Sequence, residues 1–390
     1  MRILGIETSC DETSLSIIDA TGNVNKPRFK VRAFSILSQM SIHQKYGGVF
    51  PHLAQREHQK NLVPMLARTL EEAGLSKPAK DVFKPATARK LIKTLERETE
   101  LLSKFLSYVP TVARPDIDAI AVTYGPGLEP ALWVGVNFAQ ALGVVWDIPV
   151  VPVNHMEGHL ASVLFGEKKG ETVPVKFPVL ALLVSGGHTE LIFSKKWEMY
   201  EVIGETVDDA AGEAFDKVAR MLELPYPGGP QISQLAEAHR KAVDVSQEYK
   251  LPRPMKNSGN LNFSFAGLKT AVLYKIKGLK ILDANARQTI AREFEDAVID
   301  VLISKTKKAL ETYAPKTLIV GGGVIANTAL RRAVGTLAKT QGVELRIPQM
   351  RLTGDNALMI AMAGFIKIKN KPEILKKKVT VKAFGNLRLG

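Results

Sequence analysis

Cysteine is almost absent: Cys10 stands alone among 390 residues, so neither an internal disulfide nor a thiolate-only metal site can hold this chain together. That usage fits a reducing compartment. Long apolar runs are missing as well. No stretch approaches the ~20 residues needed to cross a bilayer, and Met1 to Ile6 has neither a basic flank nor a cleavage site. The expectation is a soluble, cytoplasmic protein that makes no use of a membrane. Acidic side chains are in deficit, 39 against 53 lysines and arginines, for a formal charge of +14. Such an excess raises the local concentration of a polyanion, which makes nucleic acid a candidate partner, and it equally suits a solubilising surface. Aromatic residues are few, at 7%. The two densest basic clusters are Lys26, Arg28, Lys30 and Arg32, and then Lys367, Lys369, Lys371, Lys376, Lys377 and Lys378. Neither is interleaved with rings, so base stacking is not expected there.

What is abundant is core material. Apolar residues make up 45% of a chain too long for one ordinary core, which favours two packed domains. Ile3 to Ile6 reads as a strand, Glu7 to Thr13 as a polar turn, and Leu15 to Ile18 as a returning strand. The same device recurs as Val179 to Val184, Ser185-Gly186-Gly187-His188-Thr189, and Leu191 to Phe193. Ala119 to Val122 and Thr317 to Val320 read as further buried strands, and Ala131 to Val145, Ala210 to Leu222 and Ala357 to Phe365 as helices. Strands alternating with helices imply a layered α/β fold. Pro225 to Pro230 reads as a loop, and a helix is expected from about Ala326. Between Lys77 and Pro115 an excursion bounded by prolines encloses Ala88 to Ser107, whose apolar residues fall at helical spacing and predict one amphipathic helix. It is either a docking surface for RNA or a partner, or a structural insertion.

Chemistry concentrates in a few places. His155 and His159 are four residues apart, which on a helix puts both imidazoles on one face; such a pair either shares a cation or is structural. Asp355, just before an apolar helix, is either a third ligand or an ordinary helix cap. A zinc-peptidase reading fails because its glutamate must adjoin the first histidine, whereas Glu157 is rotated about 200° around the helix. The Ser185 to Thr189 turn and the Gly321-Gly322-Gly323 run bring backbone N–H groups within reach of a phosphate or nucleotide, with Asn327 at the following helix to hydrogen-bond it. The run lacks the Gly-Lys-Ser/Thr ending of a P-loop and the full dinucleotide fingerprint. Two hairpins with a glycine-rich turn point to the two-lobed nucleotide site of actin, sugar kinases and Hsp70.

Taken in order, the segments Gly5 to Thr13, Tyr46 to Val49, Thr123 to Leu128, Asn154 to Leu160, Val184 to Thr189, Gly212 to Lys217, Tyr226 to Pro230, Phe263 to Thr270, Gly321 to Asn327 and Thr353 to Asn356 resemble the tRNA threonylcarbamoyladenosine synthase family, called TsaD in bacteria. The filler in His-Met-Glu-Gly-His-Leu resembles its bacterial and mitochondrial branch. Two segments depart from that branch: Lys77 to Pro115 replaces a short connection, and Glu129-Pro130-Ala131-Leu132-Trp133 replaces a Gly-Ser-rich continuation. The resemblance implies duplicated RNase H-like domains, with an N-terminal lobe over 1–165 carrying the insertion at about 77–115. The C-terminal lobe would span 166–390, its last segment packing back on the first lobe. It implies that His155, His159 and Asp355 hold one divalent metal, iron or zinc. Leu183, Val184, Ser185, Gly186 and Gly187 would line the phosphate and acyl end of a threonylcarbamoyl-AMP donor, and Asp216, Gly229 and Asn327 its nucleoside end. The implied activity is acyl transfer to N6 of adenosine 37 in tRNAs reading codons that begin with A, with AMP released; the roles of Asp11 and Glu12 stay open. The implied partners are tRNA and either an inactive paralogue with a small P-loop ATPase or a second copy of the chain. The alternatives are a small-molecule kinase of the same fold and an inactive scaffold paralogue.

Overall fold

A computed structural model describes residues 1–79, 83–165, 171–242, 250–376 and 380–389. Lys377 and Lys378 of the second basic cluster lie outside the described residues. The chain divides into two compact units, one of Met1–Ser41, Val49–Val175 and Gly354–Leu389, the other of Ile42–Gly48 and Lys176–Thr353.

The first unit is built on β1 (Arg2–Glu7), β2 (Glu12–Asn23), β3 (Lys26–Ser38), β4 (Ala119–Gly125) and β5 (Val150–Asn154), in the order β3-β2-β1-β4-β5. The hairpin strands are antiparallel, while β1, β4 and β5 run parallel. Side chains alternate across a strand. Leu4 and Ile6 therefore enter a core with Leu62 and Leu66 of helix Pro51–Glu72 and Leu132 and Phe138 of helix Glu129–Trp146. Gly5 turns to the opposite face, where helix Ala357–Asn370 lies against the sheet. That helix is apolar nearly all round because sheet and helix His155–Ala161 enclose it.

The second unit repeats the plan. Here β6 (Val179–Val184), β7 (Thr189–Lys196), β8 (Met199–Glu205), β9 (Thr317–Gly321) and β10 (Glu344–Arg346) take the order β8-β7-β6-β9-β10, with the same antiparallel hairpins and parallel partners. An order of five strands repeated with every direction preserved is a duplicated α/β unit.

Several local expectations need correction. The sequence reading missed β3, β8 and β10. In β3 the basic cluster Lys26, Arg28, Lys30 and Arg32 alternates with Phe29 and Ala33, which are buried. Charge on an edge strand blocks pairing with another sheet. The single helix expected over Ala88 to Ser107 is two, Pro85–Thr94 and Thr99–Tyr108. The break at Leu95 to Glu98 lets Leu91, Leu95, Leu101 and Phe105 all reach the core, and it leaves Ile92 and Leu106 exposed. Pro225 to Pro230 is not all loop, since helix Gly228–Ala242 starts within it. Pro230 falls in the first turn, where a backbone N–H is not needed.

Close approach in the first unit makes a test. A Cβ on Gly5 would stand 2.3 Å from the Ala357 carbonyl oxygen. Gly5→Ala is expected to cost about 1–3 kcal/mol, seen as a lower urea midpoint. Gly335→Ala, inside helix Thr328–Gln341 with open space at its Cβ, is expected to gain about 0.5–1 kcal/mol.

Candidate functional site

Each unit contributes its own chemistry. In the first, β5 ends at Asn154, whose side chain accepts from the Met156 N–H at 2.8 Å and so starts helix His155–Ala161. Glu157 completes the cap by accepting from the Asn154 N–H at 3.3 Å, and Lys367 lies 3.9 Å from it. It is thus spent on the helix start. His155 and His159 face the same way, with ring centroids 4.7 Å apart.

Asp355 meets them. Its Oδ1 lies 3.2 Å from His155 Nε2 and 3.3 Å from His159 Nε2. The reading of Asp355 as an ordinary cap does not hold, because Asn356 takes that role by accepting from the Met359 N–H at 3.1 Å. The carboxylate of Asp355 is left to point at the imidazoles.

Behind His155 stands a residue the sequence reading passed over. Glu7, fully buried at the end of β1, places Oε2 3.1 Å from His155 Nδ1 while accepting from Thr123 Oγ1 at 2.5 Å; its Oε1 accepts from the Ser9 N–H at 2.6 Å. Such a carboxylate keeps the proton on Nδ1 and leaves Nε2 to ligate. The signal was in the sequence: Glu7 shares strand parity with Gly5 and closes an otherwise apolar run.

The electrostatics follow from burial among carboxylates. Burial opposes a charged His155, yet Asp355 and Glu7 outweigh it and hold its pKa well above the ordinary imidazole range. Burial likewise works against an ionised Asp355, but His155 and His159 hold it far below the usual carboxylate range. Glu12 is pushed well up by burial and then by Asp11 and Asp355, and the Cys10 thiol is raised by the same causes. His159 is buried, and among the described residues its ring nitrogens make no hydrogen bond, the 3.3 Å approach of Asp355 to Nε2 being an ion-pair contact only. Two imidazole nitrogens and a carboxylate oxygen within 4.8 Å of one another fit a divalent transition metal, and such an ion would satisfy the orphaned His159 Nε2.

The second unit holds a cavity of about 760 Å³, the size of a small-ligand site. Gly186, Asp216, Gly229 and Asn327 line it; Leu183, Val184, Ser185 and Gly187 do not. Leu183 and Val184 are fully buried in β6, and Ser185 closes the hairpin by donating its N–H to the His188 carbonyl at 2.8 Å. Asp216 accepts from the Gly228 N–H at 2.7 Å, pinning the start of helix Gly228–Ala242. Asn327 caps helix Thr328–Gln341 through the Leu330 N–H and donates to Glu295 and Ser233. Both its amide hydrogens go to protein groups, so it fixes the rim. Phe215, Ser233 and Gly323 also line the wall and were not foreseen. Gly229 and Gly323 would meet nothing within 4 Å if they carried a Cβ, so their missing side chains add to the open space.

A family model described as tRNA N6-adenosine threonylcarbamoyltransferase, TsaD, matches residues 30–83 and 95–362. The chain belongs to the TsaD family. A relative of that name from Burkholderia mallei is 41% identical over 378 residues, covering 95% of this chain and 94% of the relative. Another from Ralstonia pickettii is 40% identical over 376 residues, covering 95% and 93%. Among solved structures, full-length HypF in its phosphate- and nucleotide-bound form aligns with a TM-score of 0.50 at 12% identity, over 95% of this chain and 46% of that one. That likeness concerns the fold alone. The TsaD assignment makes the chain a transferase of tRNA modification, and no described helix is long and apolar enough to cross a membrane.

The geometry around His155 predicts how an ion would bind. Titrated with Zn²⁺, the protein is expected to take one ion per chain, and Glu7→Gln to weaken that binding about ten- to a hundredfold. His155 must lose a proton to ligate, and its pKa is raised. Apparent affinity should therefore rise by about tenfold per pH unit up to that raised value, then level off. Calorimetric titrations across pH check both; a flat profile contradicts the assignment. Without an ion the sign reverses for stability: the His155 contribution is complete below about pH 6.5 and is lost as pH climbs through the raised value.

Proposed function

We propose that this chain transfers a threonylcarbamoyl group from threonylcarbamoyl-AMP to N6 of adenosine 37 in tRNAs reading codons that begin with A. The observation that carries the reading is the trio His155, His159 and Asp355, with buried His159 nitrogens that make no hydrogen bond among the described residues and only an ion-pair contact to Asp355. In the reaction the N6 lone pair attacks the carbamoyl carbon, the bond from that carbon to the AMP oxygen breaks, and AMP leaves with the electron pair as the amine sheds a proton. An exocyclic amine is a weak nucleophile, so positioning supplies much of the rate. A bound divalent ion, iron or zinc, would polarise the acyl group as a Lewis acid.

The chain's own residues have distinct tasks. Glu7 and Ser9 fix the ring of His155, with Ser9 Oγ 3.2 Å from Nδ1. Asp355, held low by the two histidines, stays ionised and opposes their charge. In the second unit the glycines along the cavity admit an adenylate close to backbone N–H groups, and Asp216 at its wall offers a carboxylate to ribose hydroxyls. Partners are tRNA and either a heterodimer with an inactive paralogue plus a small P-loop ATPase, or a homodimer; the setting is the cytoplasm. A small-molecule kinase leaves the histidine trio without a role.

Incubation of the purified protein with candidate partners, the adenylate-forming enzyme, ATP, threonine, bicarbonate and tRNA is expected to yield threonylcarbamoyladenosine on nucleoside digestion. Asp355→Asn should lower the yield by at least about a hundredfold, in line with loss of one electrostatic element. A complete mixture without product, beside a working control enzyme, defeats the proposal. A second outcome concerns the cavity: Gly323→Leu, which projects into open space, is expected to weaken AMP binding at least about tenfold while leaving Zn²⁺ stoichiometry unchanged.

A further inference from the structure

The inserted helices and the C-terminal tail meet at a groove of about 850 Å³ in the first unit. Lys90 and Lys93 come from helix Pro85–Thr94, Arg97 from the turn after it, and Lys376 and Lys382 from the tail. All five are exposed, and none lies within ion-pairing distance of a carboxylate among the described residues. Against them the groove wall carries two acids, Glu96 and Asp147. Between them the lining is mixed, with apolar Trp133, Ile148 and Val150 beside two amides: Gln140 accepts from the Val381 N–H at 3.2 Å, and Asn137 donates to the buried Glu98 at 3.1 Å. Further along, the tail is tied down where the Phe384 N–H donates to the Tyr124 carbonyl at 2.8 Å and the Gly127 N–H to that of Gly385 at 3.0 Å. The cations therefore project from an anchored frame.

The family match leaves out residues 1–29, 84–94 and everything after 362. Lys90, Lys93, Lys376 and Lys382 all fall in the last two of these segments, which are far apart in sequence and share one groove wall. We infer that this groove is a docking site for the phosphate backbone of the RNA substrate, away from the reacting adenosine. The inference rests on the tRNA reading above. Unpaired lysines and an arginine along a groove suit a polyanion, because each phosphate neutralised releases a condensed counterion. Trp133 is the one aromatic ring among the lining residues, so the contact is electrostatic and independent of base sequence. Net charge of +14 adds long-range attraction.

The test compares two quadruple variants of the full chain with equal net charge. In one, Lys90, Lys93, Lys376 and Lys382 become glutamine; in the other the exposed Lys195, Lys196, Lys277 and Lys339 do. Filter binding of bulk tRNA is measured from low to moderate salt, with AMP and Zn²⁺ binding as checks of folding. The groove variant is expected to bind at least about tenfold more weakly and to lose roughly 0.7 to 0.9 of log–log salt slope per contact removed. With the modifying mixture it should show a raised KM for tRNA at nearly constant kcat. Equal losses in both variants, or none in the groove variant, overturn the inference. So does retained tRNA binding with loss of a protein partner, which would make the groove a protein interface. Wild-type protein that binds tRNA through the groove yet forms no product would instead sink the transferase reading and leave the groove standing.

Discussion

Helix Ala357–Asn370 can approach the first sheet only where the facing positions are small. Gly5 of β1 admits the carbonyl of Ala357, Gly364 of the helix rests on Ala121 of β4, and Gly158 leaves room for Met359 and Ile360. A side chain at any of the three glycines would lift the helix from the sheet or from helix His155–Ala161. Asp355 sits two residues before that helix, so its distance from the imidazoles is set by backbone packing and not by a flexible loop. Dense packing of this sort transmits small displacements, because interiors have little slack to absorb them. The position of the carboxylate thus depends on glycines that never touch it.

Packing brings together groups that would otherwise repel. Glu7, Asp11, Glu12 and Asp355 crowd one region of the first unit, and burial makes their mutual repulsion expensive. The histidines relieve it in part: Asp355 and Glu7 raise the pKa of His155 against its burial, while burial and then Asp11 raise that of Glu12. A divalent cation would serve the same carboxylates better, since it brings two charges and also satisfies His159. The repulsion within this cluster is what the proposed divalent ion would relieve.

Much of the site was legible because its residues sit at the ends of regular elements. The His155 and His159 spacing announced a shared helix face, and the apolar run of Ala357 to Phe365 announced a buried helix beside Asp355. Glu7 was missed because a carboxylate after Gly5-Ile6 reads as the start of a turn, although strand parity puts it on the side of the histidines. Asn327 was read as a hydrogen-bonding group for a nucleotide, yet its amide is consumed by Leu330, Glu295 and Ser233. No local pattern reveals that Glu295, thirty-two residues earlier, will be its neighbour. Edge strands escaped for a related reason: β3 and β8 show little buried surface on one face, and β10 has only three residues.

The two hairpins show how one scaffold supports opposite chemistry. β1 and β2 are joined by the four residues Thr8 to Asp11, β6 and β7 by the four residues Ser185 to His188. The last residue of each leading strand pairs across its turn, Glu7 with Ser14 and Val184 with Thr189, so the first turn encloses two more residues than the second. The first tip carries two hydroxyls, a thiol and the Asp11 carboxylate, flanked by Glu7 and Glu12, a set that attracts positive charge. At the second the side chains are largely removed: Gly186 and Gly187 would meet nothing within 4 Å of a Cβ, which leaves backbone N–H groups open to an anion. A duplicated unit needs no change of fold to make this division. Exchanging acids for glycines at one turn reverses the sign of what the turn attracts, while the β-ladder behind it continues to set the geometry.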